Sequence, residues 1–455
     1  MGLIADIIYF VIVIGIIVVF HEFGHFISAR LSGMRADVFS VGMGPRLFGF
    51  NKKTGFSLGR LPKDYEHEGE TDYRVAAFPI GGYVKIAGMV DESMDTNYAG
   101  SEPQPWEFRS KNTFQKSITL AGGAIMNAVL AILIFTAIAF FQGKSLYKTT
   151  EVGYVDQSSL AYETGFREGD KILSINGNNV ETWDEVLQML TLDDFGESRD
   201  IKLRRDGEIK TIHAEGKAII KTMADRQAIG LQPAHIQTQI TQVLGGRPAA
   251  EAGMQAGDVV TSVNEVEIDS YTEFIDIVSS HAQTPVFIEW QRNGEAMSAS
   301  ITPDENGMIG VGIGSKYTGP KEHVNYGVGE ALVFGVDETI RAGELFISTI
   351  SQIISGNISF RQSIGGPIQI AASASQQAEM GIINFLGFVA LLSITLGIIN
   401  ILPFPALDGG HLVFVLIEGI IRREVPLKIK MGFQQFGIII LLMLMAFTIY
   451  NDIVR

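Results

Sequence analysis

Four stretches of this 455-residue chain are apolar for long enough to cross a bilayer. Residues 7–20 read IIYFVIVIGIIVVF without a charge, and helical spacing continues through His21, Glu22 and His25 to Arg30. At 1.5 Å per residue, about 20 residues cross the hydrocarbon core, so this segment (1–30) is predicted to be a transmembrane helix with polar residues near one end. It has no basic segment before it and no small-residue cleavage site after it, which sets a signal peptide aside. Residues 117–141, 381–402 and 432–450 are predicted as the other spans.

Basic residues orient these spans. Arg30, Arg35, Arg46, Lys52, Lys53, Arg109, Lys111 and Lys116 fall between the first two spans, and Arg422, Arg423, Lys428 and Lys430 between the last two. The positive-inside rule places both loops, 31–116 and 412–431, in the cytoplasm and both termini outside. The segment from about 143 to 380 then lies on the outer face, which is the periplasm if the cell is Gram-negative.

That segment repeats itself. VDQSSLAYETGFREGDKILSINGNNVETW aligns without gaps on VLGGRPAAEAGMQAGDVVTSVNEVEIDSY at an offset of 88, pairing Val155 with Val243, Gly165 with Gly253, Asp170 with Asp258 and Asn176 with Asn264. A constant offset marks a duplicated domain. Each unit reads as a short helix ending at glycine, a Gly-Asp turn, an apolar strand (171–175 and 259–263), an Asn-containing turn and a second helix from Trp183 or Tyr271. The pattern resembles the PDZ domain and predicts two of them, at 150–234 and 235–316. Their ligand-accepting strands are expected at 228–233 and 308–313, where peptide C-termini would add to a sheet edge.

Two further segments carry patterns of their own. DYRVAAFPIGGYVKIAG, residues 72–88, reads as two strands turning at Pro79 to Gly82, apolar enough to meet the membrane face. Its edge is expected to pair with an unwound substrate, making Gly81, Gly82, Tyr83 and Val84 substrate-positioning residues. Residues 328–354 alternate apolar and charged positions at helical spacing, as in a helix lying on the outer membrane surface, and the following IGGP (364–367) reads as a flexible joint within 328–380. Helix and joint are expected to couple the outer repeats to substrate access.

Composition agrees with a membrane protein: 46% hydrophobic, 19% charged and a mean hydropathy of +0.22. Fifty acidic residues against 35 basic ones give a net charge of −15, which leaves no electrostatic footprint for nucleic acid. There is no cysteine, which excludes disulfides, thiolate ligands and a cysteine nucleophile. Any metal falls to His, Asp and Glu.

Those residues occur where they are expensive. HEFGH, 21–25, puts His21 and His25 four apart on one helical face, where both imidazoles reach one metal, with Glu22 adjacent to activate a water. Ionisable residues inside a span are functional by default. Tetrahedral zinc needs one more protein ligand besides water. NILPFPALDGG, 400–410, supplies Asp408 where two prolines break the third span (381–411) near its inner end, at the depth of HEFGH. His411 is a rival ligand. Irregular backbone at such depth is tolerated only where it is buried or lines a cavity.

These motifs resemble the site-2 protease family of intramembrane zinc metalloproteases. HExxH sits in the first span, and the family's NxxPxPxxDG pattern is matched by Asn400, Pro403, Pro405, Asp408 and Gly409; SVGMGPRLF (40–48) and FPIGGYVK (78–85) are also family-like. The resemblance covers essentially the whole chain. It implies zinc held by His21, His25 and Asp408, Glu22 as general base, and Asn400 positioning substrate. The implied substrates are single-span membrane proteins already trimmed by another protease, anti-sigma factors in particular, and remnant signal peptides. The alternative of another class is a membrane metal transporter or PDZ-bearing scaffold that binds the metal without hydrolysis. Glu22 discriminates, because such a protein has no use for a base beside a metal.

Overall fold

Long apolar runs have no internal partner for their backbone except the helix, and the chain resolves into helices wherever such runs occur. In the computed structural model, which describes residues 3–62, 65, 69–89, 102–225, 227–363 and 365–454, α1 is Leu3–Leu31. The sheet strands β1 (Ala36–Asn51), β2 (Gly55–Leu58) and β3 (Asp72–Ile86) follow, and then α2 (Thr113–Gln142). After the repeats come α3 (Val328–Ile354), α4 (Pro367–Glu379), α5 (Ile382–Ile401), α6 (Asp408–Ile421) and α7 (Leu427–Val454). Helices α1, α2, α5 and α7 are the four long and apolar enough to cross a membrane among the described residues. Helix α2 begins four residues before the predicted span because Asn112 caps it: its side chain accepts from the Gln115 N–H at 2.9 Å, and Gln115 returns a bond to the Asn112 N–H.

The chain divides into two compact units, Met1–Gly143 with Asn325–Ile347 and Phe360–Arg455, and Lys144–Val324 with Ser348–Ser359. In the first, α1 and α2 approach closely, because Gly24 and Gly122 face each other with no room for a Cβ on either. The small-residue face of α3 (Ala331, Gly335, Thr339) is buried, with Gly335 set against Thr136 and the Ile132 carbonyl of α2. Leu332, Ile340 and Ile347 on the same helix stay exposed.

The strand segment departs from the two-strand reading. Residues 72–86 form one 15-residue strand, bent where Gly81 takes a positive φ of 85°. The glycine lets the chain double back without a separate turn, and the two halves of β3 flank the first half of β1. Val38–Val41 pair with Lys85–Gly82 on one side and with Asp72–Val75 on the other. Arg46 locks this sheet: its guanidinium donates twice to Asp72 at 3.1 Å and also to the Ser57 and Gly59 carbonyls, with Asp72 fully buried. Val84 and Ile86 pack with Phe26 and Ala29 of α1, seating the sheet against the HEFGH end of that helix.

The IGGP joint is tied down. Ile364 lies outside the described residues, but Pro367 opens α4, and the Asp452 carboxylate at the end of α7 accepts from the N–H groups of Gly366 (2.9 Å), Ile368 and Gln369 (both 3.1 Å).

In the second unit the repeats fold alike. Strands Lys171–Ile175 and Val259–Val263 and helices Trp183–Thr191 and Tyr271–Ser280 keep the offset of 88. The two expected ligand-accepting segments contribute shorter or shifted strands, Leu231–Pro233 and Val311–Tyr317. Each Gly-Asp turn is held by an arginine on a neighbouring strand: Arg205 donates to Asp170 (2.6 and 2.7 Å) and to the Gly165 carbonyl, and Arg292 donates to Asp258 (2.8 Å twice) and to the Gly253 carbonyl. The Asp258 carboxyl is pushed up by burial, but the bonds from Arg292 and the Gln255 N–H and the Arg292 charge outweigh this and hold it below its usual range.

Candidate metal centre

A helix repeats every 3.6 residues, so His21 and His25 stack one turn apart on the face of α1 turned toward α2. Both are buried, at 7% and 8% exposure, and their rings stand edge to face with centroids 4.9 Å apart. Asp408 reaches them from the start of α6. The intervening chain leaves α5 at Ile401, passes Pro403 and Pro405, takes a positive φ of 69° at Ala406 and restarts as helix at Asp408. A Cβ on Gly409 would meet the carbonyls of Ile401 and Leu402, so this reversal requires glycine there.

The three ligand atoms form a near-equilateral triangle. His21 Nε2 and His25 Nε2 are 3.2 Å apart, and Asp408 Oδ2 is 3.2 Å from the first and 3.3 Å from the second. A tetrahedral ion with bonds of about 2.0–2.1 Å separates its ligand atoms by about 3.3 Å, so the donor set and its spacing fit zinc. Among the described residues this is the group of His, Asp and Glu able to hold a metal ion. His411 lies outside it and lines a cavity of about 270 Å³ with Lys116, Leu120, Phe414 and Glu418.

The remaining expected residues gather around the triangle to different degrees. Glu22 is half-buried next to His21, and its Cγ would lie 3.0 Å from a Cβ on Gly82, so the glycine lets β3 run directly over the glutamate. Gly81 is the bend, packed by Met43; Tyr83 stacks on the Arg74 guanidinium at 5.2 Å; Val84 turns its buried side chain to α1. Among the described residues the strand pairing of the Gly82–Ile86 half of β3 is with β1, along one of its two edges. Asn400 is the last polar group of α5, its Nδ2 3.5 Å from His21 Nε2.

Helix α2 adds residues that motif reading passes over. Thr119, Gly123 and Asn127 are spaced by four and line one face against the histidines. The Thr119 carbonyl accepts from His25 Nδ1 at 2.9 Å, Asn127 contacts His21 Nδ1 at 3.3 Å, and a Cβ on Gly123 would lie 2.5 Å from both His21 Cε1 and His25 Nε2. An asparagine in an otherwise apolar span was the available signal.

The sequence profile of peptidase family M50 matches residues 9–444. The chain is 32% identical, over 98% of its own length and 98% of the relative's, to a zinc metalloprotease of Vibrio cholerae described as putative. It is 29% identical to the regulator of sigma-E protease RseP of Salmonella typhimurium, again over 98% of each chain, and 29% identical to the protein of that name in Escherichia coli, over 99% of this chain and 98% of that one.

Proposed function

The chain belongs to peptidase family M50, and from that premise we propose how its own residues carry out proteolysis in the membrane. It is a site-2 type zinc metalloprotease acting in regulated intramembrane proteolysis. Membership in a peptidase family disfavours the transporter or scaffold alternative.

His21, His25 and Asp408 hold the zinc, and the observation that carries this assignment is the 3.2–3.3 Å spacing of their three ligand atoms. When bound, zinc supplies a Lewis acid for the scissile carbonyl and brings the pKa of water toward about 7. Glu22 takes the proton of the attacking water and delivers it to the leaving amine. Asn400, beside His21, orients the substrate backbone. Replacing Asp408 by Ala should remove zinc and turnover together; a variant that retains full zinc would refute its role as ligand.

A transmembrane substrate has its amides bonded within its own helix, so the scissile segment must unwind before attack. The edge of Gly82–Ile86 turned away from β1 takes up the freed backbone groups as an added strand, with Gly81, Gly82, Tyr83 and Val84 aligning them over Glu22. Val84→Pro removes an N–H and should lower cleavage at unchanged zinc content. Val84→Ala trims the same packing but keeps the N–H, and should cleave faster than the proline variant. Equal turnover in the two would exclude strand addition.

The substrates are single-span membrane proteins trimmed beforehand, of the anti-sigma class, together with remnant signal peptides. The support is the name of the relatives, which links them to sigma-E regulation. The repeats are two PDZ domains on the periplasmic side of the inner membrane, with the termini on that side and the HEFGH end of α1 toward the cytoplasm; the distribution of Lys and Arg supports this orientation. Their grooves take peptide C-termini. Protease protection of tagged loops in sealed vesicles tests the orientation.

A further inference from the structure

Asn127 is fully buried in α2, its backbone carbonyl taken by the Ser393 hydroxyl at 2.9 Å. One end of its carboxamide lies 3.3 Å from His21 Nδ1, and the other, in the position of Oδ1, has no hydrogen-bond partner among the described residues. A buried polar atom without a partner lowers stability, and leucine, of similar size, would avoid the loss. The position therefore carries a polar group for what its other end does.

That end decides a proton. His21 turns Nε2 to His25 and Asp408, so to bind a metal it must keep its proton on Nδ1. The partner of Nδ1 must then be an acceptor. For His25 the acceptor is the Thr119 carbonyl, which cannot change character. For His21 it is a carboxamide, whose two ends have the same shape and opposite hydrogen-bonding roles. With Nδ2 toward His21, Nδ1 must be bare and the proton sits on Nε2, in the middle of the ligand triangle. With Oδ1 toward His21, the proton is held on Nδ1 and the Nε2 lone pair is free. In the first arrangement Oδ1 is left without a partner among the described residues, and in the second it accepts from the imidazole N–H.

We infer that Asn127 is a positioning residue for the metal centre, presenting Oδ1 to His21 Nδ1–H and so fixing the tautomer and ring orientation in which Nε2 binds the ion. This rests on the assignment of His21, His25 and Asp408 as ligands. Groups that orient a ligating histidine contribute about 10–100-fold to metal affinity.

The test is zinc affinity of the full-length protein in detergent, measured by chelator competition, together with the visible spectrum of the cobalt-loaded form. Asn127→Leu, which removes both ends of the amide, should weaken zinc about 10–100-fold and alter the cobalt spectrum, while thermal unfolding of the metal-free protein stays unchanged or moves up. Asn127→Asp, an acceptor only, should keep affinity within a few fold of wild type. Wild-type affinity and spectrum in the leucine variant would overturn the inference. So would an aspartate variant weakened 10-fold or more, and that criterion holds even if the leucine variant does not fold. Absence of zinc binding by the wild type would instead refute the metal centre itself.

Discussion

The closeness of α2 to the two histidines makes a single methyl group informative. A Cβ added at Gly123 would stand 2.5 Å from His21 Cε1 and from His25 Nε2, and 2.6 Å from His21 Nε2. Carbon contacts are comfortable at about 3.5–4.0 Å, so the shortfall is about 1 Å on both rings at once. Retreat of the helices would give up the close packing that Gly24 and Gly122 allow between α1 and α2 and would break the bond from His25 to the Thr119 carbonyl. The rings move instead, and a shift of about 1 Å far exceeds the roughly 0.2 Å tolerance of a metal bond. Gly123→Ala should lower zinc affinity more than about 100-fold, or roughly 2.7 kcal/mol, with loss of cleavage in step. Overpacking should also cost about 1–3 kcal/mol of stability. Gly15→Ala, on the α1 helix that carries the histidines but with nothing among the described residues within 4 Å of the new methyl, is the control. Chelator competition and cleavage of a single-span reporter read the outcome, and a Gly123→Ala protein with wild-type zinc affinity and turnover would refute the packing argument.

Other consequences are equally concrete. Asp72→Asn leaves the buried Arg46 guanidinium without its counter-charge and should destabilise the β1–β3 sheet by about 3–5 kcal/mol, seen as faster proteolysis within residues 36–86. Asp452→Ala deprives the start of α4 of the acceptor for three N–H groups and should lower thermal stability by about 0.5–2 kcal/mol; an unchanged unfolding temperature would count against that cap. Because the folded Asp258 carboxyl is held below its ordinary value of about 3.9, its pairing with Arg292 stabilises the second repeat above that pH and is lost as pH falls through the depressed value. Asp258→Asn should accordingly unfold earlier than wild type at neutral pH, with the gap narrowing in strong acid.

Much of this was legible along the chain, for identifiable reasons. Apolar length alone marked the four spans, since a backbone in lipid has the helix as its way to satisfy every amide. An offset of 88 marked the duplication and located the Gly-Asp turns, but not the arginines that hold them, which lie 34 or 35 residues further on with no local signal. HEFGH and the proline-broken segment before Asp408 pointed to one depth, and the short distances among His21, His25 and Asp408 express that coincidence. The sheet was harder. Residues 72–86 carry two strand patterns about a Pro-Ile-Gly-Gly sequence, which reads as a hairpin, whereas the glycine bend keeps one strand and hands its halves to opposite sides of β1. Contacts across helices were nearly hidden: apart from a lone asparagine in an apolar span, nothing near Thr119, Gly123 and Asn127 reveals that this face of α2 meets the histidines, although their spacing by four places them on one stripe.

The central claim is that Glu22 moves protons beside a metal it does not hold. It is tested most directly by cleavage of a single-span reporter with purified, zinc-loaded protein in detergent, comparing wild type with Glu22→Gln at equal zinc content. The account predicts cleavage by wild type and turnover reduced at least about 100-fold in the variant, the scale of general acid–base catalysis, with zinc bound equally by both. Equal cleavage by the two proteins would contradict it.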